Sequence, residues 1–102
     1  PPTNRSGLRR HLGAPPSDLV NPQAHHNLPW EHREYFAGPR RALNVNDAAF
    51  GRWVEGTPPG LHQNWSPSYG RAWAAWISEN PNASRQEVLN FLQSLLNSGL
   101  YP

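Results

Sequence analysis

The chain has 102 residues, enough for one domain around a single modest core and too few for two. Twelve prolines and eight glycines exclude a coiled coil or a long helical bundle, and no run approaches the ~20 apolar residues of a membrane-spanning helix. Its net charge of +2 permits a nucleic-acid partner without demanding one. Cysteine is absent, so disulfides, cysteine-ligated zinc fingers and thiol nucleophiles are excluded, which fits a cytosolic site of action without proving one. All nine basic residues are arginine, a usage that phosphate binding and codon bias both produce. The opening Pro1-Pro2-Thr3-Asn4 reads as the stub of a linker cut from a longer polypeptide.

In chain order, residues 1–22 are punctuated by Pro1, Pro2, Pro15, Pro16 and Pro22 and carry Arg5, Arg9, Arg10 and His11. They read as a flexible linker or basic arm, solvated by default, with phosphate contact as the alternative. Residues 23–102 form the domain proper. Glu31–Ala37 predicts a short helix ended by Gly38-Pro39, and residues 43–47 a brief extended piece entering a turn. Residues 50–55 are strand-like, and 56–60 must be a loop. Ser66-Pro67 reads as a helix start, with serine as N-cap and proline at the first position, where its missing N–H costs nothing.

Tyr69, Trp73, Trp76 and Ile77 then recur at the spacing of one buried helical stripe. Such aromatics could stack on bases, but facing a leucine-rich helix they are better explained as core. Asn80-Pro81-Asn82 breaks the helix, and Ser84 with Glu87 forms a capping box for a second one carrying Val88, Leu89, Leu92, Leu95 and Leu96. Gly99 stands where a helix-terminating glycine belongs. The two helices should pack as an antiparallel pair. The fold class is therefore α+β: a small two-stranded hairpin and helix, buttressed by that pair.

The histidines carry the chemistry. On an extended segment His25 and His26 point to opposite sides, so one imidazole can ligate a metal while its neighbour stays free as a base. His62 follows far downstream, beside the start of the helix at Ser66. His32, between two glutamates, reads as solvated, and His11 has no role. Arg40-Arg41, on a loop after Gly38-Pro39, are the candidates for straddling backbone phosphates.

Ala24-His25-His26-Asn27-Leu28-Pro29 resembles the Ala-His-His-x-x-Pro signature of the HNH nucleases, in the His-His branch of the His-Me finger (ββα-metal) superfamily found as tips of bacterial polymorphic toxins. Asn44-Val45-Asn46-Asp47 and residues 50–54 lie where that family has its central turn and second strand. His62-Gln63-Asn64-Trp65-Ser66-Pro67-Ser68-Tyr69 resembles its closing His-x-x-x-His-Pro-x-Tyr segment. The downstream helix and Asn80–Ser84 are similar to lipoprotein toxins of the SitA type.

The resemblance implies that His25 and His62 ligate a metal, that His26 is the general base, and that Asn44 or Asn46 orients the base loop. It further implies a weakly sequence-selective endonuclease, cutting DNA first and RNA second. The protein would be exported within a larger bacterial toxin, act in the cytoplasm of the target cell, and be held in check by an acidic immunity protein. No stable membrane contact is expected of the domain.

The chain departs from the family at Ser66, where the last histidine ligand commonly stands. Asn64, Gln63, Ser66 itself or a water would then complete the coordination. Two imidazoles plus oxygen favour magnesium or manganese, with zinc or nickel as alternatives. Two other readings stand beside the nuclease. One is a catalytically silent docking module with structural histidines; the other is a histidine metal-binding module with no nucleic-acid role.

Overall fold

A computed structural model describes residues 1–57 and 61–101. The fold is α+β, with four α-helices and one two-stranded antiparallel sheet among the described residues. Helix α1 spans Gly7–Leu12, strand β1 Pro22–His26, helix α2 Arg33–Ala37, strand β2 Gly51–Glu55, helix α3 Leu61–Glu79 and helix α4 Arg85–Leu96. Short 3-10 turns precede α2 (Trp30–His32) and β2 (Ala48–Phe50). The sheet pairs His25 with Arg52 and His26 with Gly51, so both histidines stand at its end, next to the connection leaving β1. Of the expected loop over 56–60, residues 58–60 lie outside the described residues.

The core assembles where the aromatic stripe predicts. Trp73 is fully buried and Tyr69 nearly so, with Phe36, Leu43, Val45, Val88 and Leu92 packed around them. Helix α4 folds back on α3, stacking Phe91 on Trp76 and setting its ring edge-to-face with Trp73. The Ser84–Glu87 capping box forms as expected, each partner satisfying the other's backbone N–H.

Four expectations are corrected. The proline-punctuated arm is not simply solvated, because α1 lies within it and Leu8 is completely buried. Gly51 makes that docking possible, since a Cβ there would collide with the Leu8 side chain. Ser66-Pro67 does not start a helix: α3 begins at Leu61 and carries Pro67 inside it. An interior proline loses one backbone hydrogen bond and costs about 3 kcal/mol, so packing and side-chain contacts of the first turns must offset it. Trp65 is buried there, and His62 bonds to Gln23 of β1.

Arg41 is not a phosphate clamp. It is buried, donates from Nε to the Tyr35 carbonyl and from Nη1 to the Ala83 carbonyl, and lies over the Tyr35 ring. It ties α2 to the break before α4, and Arg85 returns the contact by donating to the Arg41 and Ala42 carbonyls. Helix α4 is capped by Asn97, while Gly99 takes its positive φ of 76° two residues further on.

Candidate functional site

Strand β1 delivers the two histidines in opposite directions, as a strand must. His25 turns into the core, 4% exposed, with its ring edge-to-face against Trp65 and Tyr69 of α3. His26 is half-buried and faces Asn46 and Trp30. Because α3 starts at Leu61, His62 lies in its first turn, and Ser66, four residues on, shares its face. The result is a cavity of about 60 Å³ whose lining includes His25, His26, His62, Ser66, Tyr69 and Arg5.

The His26 side is organised by Asn46. Its amide Nδ2 donates to the Asn4 carbonyl over 2.8 Å, and a carbonyl only accepts, which fixes the amide's orientation. Oδ1 is thereby turned to His26 Nε2 at 2.8 Å. That ring nitrogen must carry the proton, so neutral His26 has its lone pair on Nδ1. Burial lowers the His26 pKa below the ordinary value, against a smaller upward push from the Asn46 bond, so the neutral form prevails at pH 7.

Asn46 is itself held from two more directions. Its N–H donates to Asn44 Oδ1 at 2.9 Å, and its carbonyl accepts from His11 Nδ1 at 2.6 Å. Gly7 of α1 lies against it so closely that a Cβ would approach Asn46 Nδ2 to 2.8 Å. Asn44 thus shapes the turn, while Asn46 touches the histidine.

On the other side, His25 Nδ1 and His62 Nε2 face each other at 3.3 Å. His62 Nδ1 lies 2.6 Å from Gln23 Oε1, an acceptor, so it carries the proton and leaves the Nε2 lone pair aimed at His25. Burial, then the Arg52 charge, then His62 bring the His25 pKa down to about 3. Burial, then Arg52 and Arg5, lower that of His62 as well. Both rings are neutral at pH 7, the form that ligates metals. Buried His25 Nε2 has no hydrogen-bond partner among the described residues.

The 3.3 Å separation suits two nitrogens on one divalent ion, since zinc bound at 2.0–2.1 Å in tetrahedral geometry places its nitrogens about 3.3 Å apart. The Gln23 oxygen is the outer partner a ligating imidazole requires for His62, whereas His25 Nε2 has none among the described residues. The set is incomplete in protein ligands: among the described residues no three histidines, aspartates or glutamates form a metal-holding group. Ser66 shares the cavity and is free of the capping duty expected of it, whereas Asn64 is exposed and not part of the lining.

Of the candidates read from the sequence, His25, His26, His62 and Ser66 meet at one cavity, with Asn46 behind His26 and Asn44 one contact further out. Arg40 is exposed and lines neither the cavity nor the groove beside it. Among the described residues, the arginine that lines the cavity is Arg5, from the segment read as an arm. Its only sequence signal was membership of that basic segment. No protein-family model, curated protein or solved structure matches the chain.

Proposed function

We propose that the domain is a metal-dependent, weakly sequence-selective endonuclease that hydrolyses phosphodiester bonds, DNA before RNA. The single observation supporting it most is the pairing of two arrangements in one cavity. One is two neutral imidazole nitrogens facing each other at 3.3 Å; the other is a separate histidine held in one tautomer by Asn46.

His25 and His62 would hold a divalent ion, manganese or magnesium first, with oxygen from Ser66, water or the phosphate filling the remaining positions. When bound, the ion would neutralise phosphate charge and stabilise the departing oxygen. The chain's own residues supply the rest. His26 Nδ1 takes the proton from water as it attacks phosphorus, and the Asn46 bond keeps that nitrogen unprotonated beforehand. As His26 becomes positively charged, Asn46 Oδ1 still accepts from Nε2 and stabilises the charged ring. Arg5 pairs with a phosphate oxygen, and since such contacts go to the backbone, sequence is scarcely read.

An activity that cleaves indiscriminately needs restraint in the cell that makes it. A toxin role in the cytoplasm of a target cell, with an acidic immunity protein as partner, accompanies this reading. Among the described residues no helix is long and apolar enough to cross a membrane.

The test is plasmid DNA incubated with purified domain and manganese or magnesium. The proposal expects degradation, its loss with chelator, and its loss in a folded His26→Ala variant. Intact plasmid under all conditions, with alanine at His25, His26 or His62 changing only stability, would favour the docking module.

A further inference from the structure

Two grooves adjoin the histidine cavity, sharing different sets of its lining residues apart from Arg5, which lines all three spaces. The first, about 530 Å³, shares Arg5, Ala24, His26 and His62 with the cavity and continues past Gln23 to Arg9. The second, about 460 Å³, shares Arg5, Glu31, Ser66 and Gly70 with it and continues to Arg71. Each lies within the roughly 300–1,000 Å³ of pockets that take small organic ligands, whereas the cavity they both adjoin holds little beyond a few waters or a phosphoryl group.

Arg5, Arg9 and Arg71 are all exposed, unlike Arg41, whose guanidinium is spent on carbonyls. Arg9 also lies 5.5 Å from the centre of the Trp53 ring, which restricts its swing. Among the described residues, Glu31 is the one carboxylate that lines both the cavity and the Arg71 groove. Its negative charge disfavours a phosphate directly beside it, while Arg5, which lines the same two spaces, and Arg71 further along the groove favour one.

The geometry points to a through-running trough for one polynucleotide strand. The bond to be cut lies over the histidines, Arg9 holds a phosphate on one side of it, and Arg71 holds one on the other. This rests on the nuclease reading and deepens it: a site open at both ends accepts a chain without a terminus, so cleavage is internal. It also moves the phosphate contacts from Arg40 and Arg41 to Arg5, Arg9 and Arg71.

The test is fluorescence anisotropy with a labelled 20-nucleotide single-stranded DNA and the cleavage-silent His26→Ala protein, across a salt series. Adding Arg9→Ala or Arg71→Ala should each weaken binding roughly three- to tenfold at low salt and flatten the slope of log affinity against log salt by about 0.7. Arg40→Ala should change neither, and circular dichroism verifies that all variants are folded. Unchanged binding in both variants overturns the trough, and an effect of only one overturns its two-sided form. Arginine-dependent binding by a His26-intact protein that cuts nothing would uphold the trough while refuting the nuclease reading. Cutting without arginine-dependent binding would do the reverse.

Discussion

Replacing Asn46 with alanine separates the orientation of His26 from its presence. The substitution deletes two side-chain hydrogen bonds, from His26 Nε2 to Oδ1 and from Nδ2 to the Asn4 carbonyl, at a site 4% exposed. Each is worth about 0.5–1.5 kcal/mol net. Neither partner becomes fully stranded, because Asn4 is exposed and His26 half-buried, so water recovers part of the loss. The expected cost is about 2 kcal/mol, on the order of 30-fold in the folding equilibrium, which leaves the domain folded. Activity should fall further. Without the acceptor, the His26 proton is free to occupy Nδ1, and general-base catalysis is worth roughly 10²–10⁴-fold. Asn46→Asp keeps an acceptor for Nε2 and should retain more cleavage than alanine. Urea unfolding and plasmid cleavage at saturating manganese measure the two effects. A variant within about 0.5 kcal/mol of wild type that cuts at full rate refutes the reasoning.

Other consequences follow from the packing. Leu8→Ala should cost roughly 2–4 kcal/mol in urea unfolding, because a fully buried side chain is lost against Gly51; a surface arm would show no change. Pro67→Ala should stabilise by about 1–2 kcal/mol, restoring the N–H that α3 lacks, and a loss of stability would mean the ring is needed where it stands. Glu55 is held down to a pKa of about 2 by the Thr57 hydroxyl first, then by the backbone N–H groups of Thr57, Val20 and Asn21. A folded-state value below the unfolded one means this contribution is complete above about pH 4.5 and disappears as the pH falls toward 2. Glu55→Gln should remove that part of the acid dependence, read from Tm against pH.

What the sequence revealed was what local rules govern. Alternation on a strand separated His25 from His26, helical spacing put Tyr69 and Trp73 in the core, and Ser84 with Glu87 marked the second helix start. What it concealed depends on partners distant along the chain. Leucines scattered among arginines and prolines gave no sign that Leu8 is an anchor, yet its burial places the segment so that Asn4 and His11 reach Asn46 and Arg5 reaches the cavity. The proline at 67 signalled a helix start, but Trp65 burial and the His62–Gln23 bond carry the helix upstream through it. Arg41 and Arg5 are chemically identical in sequence. Their fates diverge because the Tyr35 and Ala83 carbonyls lie within reach of one and the histidine cavity beside the other.

The most direct test of the account is calorimetric titration of the domain with manganese, and then with zinc, independent of any cleavage. One ion per chain should bind to the wild type, and the site should vanish in His25→Ala and in His62→Ala while His26→Ala retains it. Binding that survives both substitutions in folded protein, or no binding by the wild type, would contradict the claim that these two imidazoles form a metal site.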